Sequence, residues 1–448
     1  MDNQHVLKGP IFSSLIRLAL PIMGTSFLQM TYHLVDMFWI GILGSGPVAA
    51  IGVSGYFVMF SMALVRLVQV GTEVNVAQSI GAEKTAAAAS YAQNALILGG
   101  VIGLGYGLML AIFNRQLIGF FQIAERAVEA DAENYLFLMA LGMIFLFLNP
   151  VITCLYNASG ASRIPFRINA IGLLANMLLD PLFIFGLDMG VRGAALATVI
   201  SQMTVTLILL RLLRKRKPFP SFHFNRTWSG EMMKDILHLG TPVAMQTGLF
   251  AVFSILLARI VASFGPDALA AQKVGVQIES ISYMTAHGFS IALSAFTGQN
   301  HGAGNHARVR QGVITAGLSM GVFGLLTSFF LFYFAEPLFR IFIRDPEAVV
   351  IGTQYIKILA LSQLFMCFEI TFSGGFNGLR RTGTPAFIGI VFTGLRVPVA
   401  YIFSAESLLG LDGVWWTITG SSWVKGLLMI ILTTRLLRHI QRRNQSTF

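Results

Sequence analysis

The sequence predicts an all-α integral membrane protein with about twelve transmembrane helices in two six-helix lobes related by internal duplication. Hydrophobic residues make up 55% of the 448-residue chain and charged residues 11%, whereas a soluble domain carries about 25% charged residues. Apolar runs of about 20 residues, the length that crosses a bilayer core, recur throughout. Because these runs are continuous and do not alternate with polar residues, they favour helices over a membrane barrel.

The chain contains an internal duplication, because characteristic residues of the first half recur in the second after a shift of 220 or 221 positions. A duplicated membrane bundle is expected to place its substrate path between the two halves. Two acids are not duplicated: Asp36 and Asp180 correspond to Leu257 and Ala400. The matching landmarks are Pro21 with Pro242, Gln78 with Gln299, Tyr135 with Tyr355, Asn157 with Asn377 and Pro165 with Pro385.

The apolar runs define the elements in chain order. Six spans are predicted in each half, and their boundaries follow from where polar residues interrupt the runs. The predicted spans are 11–40, 48–72, 88–113, 132–157, 164–186, 191–213, 240–264, 268–297, 312–335, 350–377, 385–404 and 412–437.

Lysine and arginine are distributed unevenly around these spans. Of the 31 such residues, twenty fall on the side that holds both termini, five on the opposite side and six within spans. The positive-inside rule therefore predicts that both termini are cytoplasmic. The run 214–217 anchors this topology, so the net charge of +11 does not indicate a nucleic-acid partner.

The same reading divides the chain into three parts. We predict an N-terminal six-helix lobe with an ion or proton site at 1–214, a cytoplasmic inter-lobe linker at 215–239, and a C-terminal six-helix lobe with a basic cytoplasmic tail at 240–448. The expected location is a prokaryotic cell (inner) membrane, crossed many times.

Several function classes have no support in the sequence. Cys154 and Cys367 are two lone thiols near inner span ends, which cannot form a cysteine metal site, and the eight histidines lack ligand spacing. No phosphate-binding loop of the Gly-x-x-x-x-Gly-Lys-Ser/Thr type is present. We expect no cofactor and no enzyme activity, because a membrane enzyme would need a clustered metal or nucleophile constellation. An ion gradient is then the expected energy source for transport.

Polar side chains on three spans of the first half reach the same depth. Asp36 lies about four residues from the outer end of the first span, and Asp180 about six from the outer end of the fifth, one turn after Asn176. Thr198 lies about seven residues into the sixth span, so all are about 6–15 Å deep. Such groups bind a proton or a small hard cation such as Na⁺. The alternative is that each acid reaches the nearby outer interface on its own.

The first span carries a polar stripe on an otherwise apolar helix. Gln29, Tyr32 and His33 precede Asp36 at helical spacing, as does Thr25. A stripe of this kind faces a water-filled space, so we assign the first three to a substrate cavity. Pro21 bends the same helix, as either a static kink or a hinge.

The second half carries its own ionisable residues within spans. Glu279, with Tyr283 one turn later, and Glu369 are assigned to the wall of a substrate cavity, where carboxylates attract cations and aromatic rings accept their flat bodies. The alternative is a buried pair of a glutamate with Arg396 or a lysine that holds the lobe together. Lys425, near mid-membrane, has no explanation from the sequence.

These residues resemble a known family, the multidrug and toxic compound extrusion (MATE) transporters. The segment from Tyr32 to Gly41 resembles the first helix of that family, and 78–82 with 298–304 resemble its paired inner-loop motifs. The segment Asn176-Met177-Leu178-Leu179-Asp180-Pro181-Leu182 is similar to the fifth-helix signature of the DinF-like branch. The resemblance covers essentially the whole chain, with its motifs paired at the repeat distance.

The resemblance implies a secondary active multidrug efflux antiporter. Its lobes open to one side in turn and export amphipathic, mostly cationic drugs and dyes in exchange for H⁺ or Na⁺. Asp36, Asn176, Asp180 and Thr198 match the family's amino-terminal ion site; no other metal and no obligate protein partner are expected, so the chain is expected to be a monomer. Where the NorM-like branch has a seventh-helix acid, this chain has the region of Phe250, although Glu369 matches that branch's tenth-helix acid. The alternative function is a lipid-linked oligosaccharide flippase of the same superfamily.

Overall fold

The computed structural model describes residues 3–216, 228–342, 345–405 and 407–445. Within these ranges the chain is almost entirely helical and contains no strand, which confirms the predicted all-α class. Residues 217–227 of the predicted linker, and 446–448 of the predicted basic tail, lie outside the described residues.

Seven α-helices form the first half. They are joined by short turns, and the sixth continues directly into one turn of π-helix at Leu182–Gly186. The helices are α1 Asn3–Lys8, α2 Ile11–Leu43, α3 Ser45–Gly81, α4 Thr85–Gly119, α5 Arg126–Ala158, α6 Arg163–Pro181 and α7 Gly190–Arg216.

Nine α-helices form the second half, where two of the predicted spans are each built from two shorter helices. The helices are α8 Gly230–Ala262, α9 Pro266–Gly302, α10 His306–Tyr333, α11 Ala335–Arg340, α12 Pro346–Ala360, α13 Gln363–Gly378, α14 Gly383–Gly394, α15 Arg396–Phe403 and α16 Leu411–Gln445.

The twelve predicted spans all fall on these helices. Among the described residues, nine segments are long and apolar enough to cross a membrane, with α14 and α15 counted as one; α12 and α13 make a tenth if that pair, bent by 54°, is one span. The other two predicted spans correspond to α9 and α16, which are 37 and 35 residues long but more polar. Part of that polarity in α9 comes from Glu279, and in α16 from Lys425 and the basic last turns.

The turns show the duplication in the backbone itself. Gly44 and Gly265, 221 positions apart, precede α3 and α9 with φ of 115° and 102°. Both have ψ near 180°, a region that is essentially open to glycine alone. Glu83 and Gly304, also 221 positions apart, follow the same two helices with φ of 59° and 71°. The repeat seen in the sequence therefore extends to turn geometry.

Contacts group the helices into two compact units. Unit 1 contains Leu20–Ala244, and unit 2 contains His5–Ala19 with the described residues from Met245 onward. Two of the boundaries fall within single long helices, α2 and α8, close to Pro21 and Pro242. The predicted limits of the lobes and linker, which were set by span boundaries, stay a prediction.

Unit 1 is built around α5, which packs against α3, α4 and α7. Small side chains on α4, among them Ala88, Ala92 and Ala95, are completely buried and let these helices approach closely. Close approach is tightest between α3 and α8, where a Cβ on Gly240 would overlap the Leu67 carbonyl. Glycine is therefore required at this crossing.

Unit 2 is built around α9 and α13, with α12 and α16 packed beside them. Its largest buried side chain, Trp415, meets Tyr355 edge-to-face with ring centroids 4.6 Å apart. Both units leave large apolar side chains exposed, including Ile112 at 66% and Leu318 at 68%. A water-soluble surface does not carry so much exposed apolar area, whereas a surface that contacts lipid does.

Candidate functional site

The four residues predicted to form the coupling site come together inside unit 1. Asp36 on α2 accepts a hydrogen bond from Thr198 Oγ1 on α7, with 3.5 Å between the oxygens. On α6, Asn176 Nδ2 donates to Asp180 Oδ1 over 3.2 Å. The carboxyl groups of Asp36 and Asp180 lie close enough to interact with each other. Three non-adjacent helices therefore supply one polar cluster.

Local sequence explains how α6 presents its two residues. Asn176 and Asp180 are four positions apart, which puts them on one face of the helix, and neither is accessible to solvent. Pro181 follows at once and lacks the N–H that would continue the helical ladder, and the chain widens into the π-helical turn at Leu182–Gly186. The π turn, which the sequence reading did not anticipate, lies directly next to Asp180.

The cluster contains oxygens that no donor satisfies. Five buried side-chain oxygens here have no hydrogen-bond partner among the described residues: Tyr32 Oη, Asp36 Oδ1, Asn176 Oδ1, Asp180 Oδ2 and Ser201 Oγ. No lysine or arginine of the described chain forms a salt bridge with either aspartate. Buried polar oxygens without partners are costly, and two adjacent carboxylates repel each other unless a proton or cation lies between them. The donor set, all oxygen, suits a proton or Na⁺.

The polar stripe of α2 is divided between buried and exposed positions. Tyr32 is buried, and its hydroxyl approaches Thr198 and Ser201 on α7. Gln29 and His33 are exposed. The structure therefore places Tyr32 within the carboxyl cluster, whereas the sequence reading assigned it to the substrate cavity together with the other two.

Two members of the cluster were missed from the sequence. Ser201 lies one helical turn after Thr198, so the spacing on α7 was a sufficient signal. Tyr135 on α5 is buried close to both aspartates. It had already been noted as a landmark of the repeat with Tyr355, and that recurrence was the signal that could have identified it.

Helix α2 remains helical through Pro21, from Ile11 to Leu43. Thr25 lies one turn after the proline, and its Oγ1 donates a hydrogen bond to the Pro21 carbonyl over 2.9 Å. The hinge at Pro21 stays a prediction.

In unit 2, Glu279 is held by a chain of side-chain hydrogen bonds. Gln363 Nε2 at the start of α13 donates to Glu279 Oε1 over 3.0 Å, and Ser282 Oγ donates to Gln363 Oε1 over 2.6 Å. Glu279 is half-buried, and Tyr283, one turn further along α9, is 47% exposed. This glutamate accepts a hydrogen bond from a neutral amide, and within the described part of the chain it forms no salt bridge with a basic side chain.

The remaining charges of unit 2 include the residue that the sequence left unexplained. Lys425 Nζ lies 2.9 Å from Glu369 Oε1, and the side chains are 8% and 13% exposed. Arg396, the candidate partner from the sequence, instead donates to the hydroxyls of Ser421 and Ser422 on α16. A buried glutamate–lysine pair is therefore present at Glu369, which agrees with the alternative that the sequence left open for this residue.

Membrane-spanning helices that enclose ionisable and unpaired polar groups define the class of helical membrane transport proteins. The MatE family model matches residues 21–182 and 242–402, once in each half of the duplication. The chain belongs to the MatE family of membrane transporters.

Three similar proteins show how far the likeness extends. A probable multidrug resistance protein NorM of Thermotoga maritima is 30% identical over 413 residues, covering 90% of this chain and 88% of that protein. An FAD transporter of Shewanella oneidensis is 25% identical and covers 98% of this chain and 95% of its own length. A solved outward-facing multidrug resistance MATE transporter of the MOP superfamily has a TM-score of 0.92 at 24% identity, with 99% of each chain covered. The last comparison shows a shared fold.

Proposed function

We propose that this protein is a secondary active multidrug efflux antiporter that exports amphipathic, mostly cationic organic compounds in exchange for H⁺ or Na⁺. The observation that carries the proposal is the facing pair Asp36 and Asp180 with their unpaired oxygens. An ion pair or a full set of hydrogen bonds would make these acids permanent structural groups. Each instead keeps one unpaired oxygen, which suits a group that gains and loses a cation during each cycle.

The chemistry of exchange follows from charge balance. When a proton or Na⁺ lies between the two carboxyls, the cluster carries at most one net negative charge. A Na⁺ there can also take the unpaired oxygens of Asn176, Tyr32 and Ser201 as ligands, whereas a proton is shared by the carboxyls alone. When the cation leaves, two adjacent carboxylates remain in a buried site. Cation occupancy therefore shifts the balance between protein conformations by its differential affinity for them. A cationic substrate that favours the opposite conformation is thereby exchanged for the ion.

The substrate class rests on acids and aromatic rings within spans. The predicted cavity residues Gln29, His33 and Tyr283 are exposed and Glu279 is half-buried, and of these Glu279 supplies negative charge without a direct ion pair. Carboxylates and aromatic faces attract flat organic cations. The NorM relative, whose printed name is a probable multidrug resistance protein, supports this class.

The test is substrate-driven ion movement in proteoliposomes that contain the purified chain. A cationic dye added to vesicles with an internal pH indicator should change the internal pH if H⁺ is the coupling ion. If Na⁺ is the coupling ion, dye transport should depend on a Na⁺ gradient and should move ²²Na⁺ in the opposite direction. Dye transport that proceeds at the same rate without either gradient would contradict the antiport proposal.

The same vesicles separate the other substrate classes. The FAD-transporter relative makes FAD a necessary member of the substrate panel, and a fluorescent lipid-linked saccharide tests the flippase alternative. Movement of FAD or the lipid, with no movement of any cationic dye, would replace the proposed substrate class while leaving ion coupling to be measured with the new substrate.

A further inference from the structure

The ion pair Glu369–Lys425 lies too deep for its lysine to reach water. Lys425 is 14 residues from the start of α16 at Leu411, a rise of about 21 Å, and 20 residues from its end. A lysine side chain near a helix end can extend to the interface, but one this far from either end cannot. With 8% of its side chain exposed and Glu369 2.9 Å away, Lys425 is a fixed internal cation.

The groups around this pair balance their charges. Glu279 on α9, Arg396 on α15 and Tyr355 on α12 lie close enough to interact electrostatically with one another or with the pair. Two acids and two bases thus share the interior of unit 2. Arg396 is held by the hydroxyls of Ser421 and Ser422, so its direct contacts are neutral, and Lys425 is the base in direct contact with a carboxylate.

The carboxyl pair of unit 1, Asp36 and Asp180, has no such basic partner. Asp36 and Asp180 form no salt bridge with a lysine or arginine of the described chain, and each has an unpaired buried oxygen. Glu369, by contrast, has an ammonium group at hydrogen-bonding distance. Of the three acids Asp36, Asp180 and Glu369, only Glu369 therefore has a neutralising cation supplied by a described residue of the chain.

We propose that Lys425 is a resident counter-ion that occupies the place of an exchangeable cation at Glu369, so that unit 1 alone binds the coupling ion. This inference rests on the proposed antiport. Lys425 acts as a specificity-determining residue: its ammonium satisfies Glu369 in every state of the cycle and keeps the site closed to Na⁺. Removing it opens a latent cation site, because the buried carboxylate then needs another positive partner.

The test measures cation binding through thermal stability, which requires no transport. All test proteins carry Asp36→Asn and Asp180→Asn, which remove the two carboxylates of the proposed coupling site. Three such proteins are compared: one with Lys425 intact, one with Lys425→Ala, and one with Lys425→Ala and Glu369→Gln. Each is heated in choline chloride, sodium chloride or methylammonium chloride. Sodium or methylammonium should raise the melting temperature of the Lys425→Ala chain by at least about 5 °C relative to choline. The other two chains should show no such shift.

Two results would overturn the inference. One is a Lys425→Ala chain with the same melting temperature in all three salts; the other is an equal shift in the chain that also carries Glu369→Gln, because the cation would then bind elsewhere. Lys425→Arg is the matched control: it keeps a cation in place and should show no shift.

A second measurement covers the case in which Lys425→Ala does not fold. In the otherwise unchanged protein, Glu369→Gln should leave the number of coupling ions moved per substrate unaltered. A drop in that number would show that Glu369 itself binds the coupling ion and would reject the resident counter-ion. Failure of the wild-type chain to exchange ions for substrate would instead reject the proposed function. The thermal-shift result does not depend on transport and would still report whether removing Lys425 opens a cation site.

Discussion

At the scale of single residues, acids within the helices differ in what neutralises them. Asp36 and Asp180 have only each other and neutral side chains, whereas Glu369 has Lys425 and Glu279 has the amide of Gln363. A carboxyl that binds and releases a cation during transport cannot also be held in a permanent ion pair. The difference therefore separates the candidate coupling groups Asp36 and Asp180, and the candidate substrate-binding group Glu279, from Glu369, whose charge already has a partner in the chain.

Asp36→Asn should abolish gradient-driven efflux almost completely. The amide nearly preserves the shape of the carboxyl but cannot change charge, so it mimics a permanently protonated state. The measurement is dye efflux from proteoliposomes as a function of pH, with protein level and melting temperature as controls. Wild-type-like, pH-dependent efflux by the Asp36→Asn protein would reject the site.

Asp180→Asn should have an effect of similar size, and the double variant should add little to it. The reason is that two interacting carboxyls that share one cation act as a unit. Efflux by the two single variants and the double variant forms a double-mutant cycle. Independent, multiplicative losses would show that the two carboxyls bind separately.

Glu279→Gln should weaken export of cationic dyes and leave the fold intact. Gln363 donates to Glu279 Oε1, and the amide oxygen of a glutamine can accept the same hydrogen bond. Only the charge is lost, so the control is a neutral substrate, whose transport should change less. Disappearance of the protein from the membrane would instead identify Glu279 as a structural group.

Depth along the spans was enough to group Asp36, Asn176, Asp180 and Thr198 from the sequence, because residue counts translate directly into height in a helix. Partners across helices were not predictable in the same way. The pairing of Glu369 with Lys425 and not with Arg396 depends on the rotation of α16 relative to α13 and α15. Hydropathy carries no information about that rotation.

At the scale of helices, sequence predicted where spans exist better than how they are shaped. The span predicted at 350–377 is bent by 54° between α12 and α13, and the one at 385–404 is divided at Leu395. The first break contains no proline or glycine, so no strong local signal marks it, whereas Gly394 and Pro398 lie on either side of the second. At the first break, Ser362 and Gln363 hydrogen-bond to the Leu359 carbonyl, and tertiary partners such as Glu279 fix the bend.

The crossing of α3 and α8 gives a prediction at this scale. Gly240→Ala should destabilise the protein by about 1–3 kcal/mol, because the added methyl would overlap the Leu67 backbone carbonyl, which cannot rotate away. Melting temperature of the purified protein measures the loss. Gly105→Ala is the matched control: Gly105 is also within a helix and has no atom within 4 Å of an added Cβ. Equal stability of the two variants would show that the helices separate at no cost.

At the scale of the whole molecule, the duplication was visible in the sequence because it preserves landmarks at a fixed distance. The turns at Gly44 and Gly265 show why some landmarks persist: the backbone there requires glycine. The contact units, however, divide within α2 and α8 and not at the linker. Hydropathy marks where a span begins, whereas packing decides which neighbours the first turns of a helix contact, and these need not coincide.

The orientation of the chain gives the last prediction, and it rests on the uneven distribution of lysine and arginine. On a background lacking Cys154 and Cys367, a cysteine at Lys215 should resist an impermeant thiol reagent in intact cells, and a cysteine at Asp188 should be labelled. Both positions are exposed, so burial does not account for a difference between them. Each cysteine should be labelled after the membrane is permeabilised, which is the control. Asp188 precedes α7 and Lys215 lies in its last turn, so the two positions are at opposite ends of this helix. Labelling in the opposite order would therefore reverse the assignment of every span that follows.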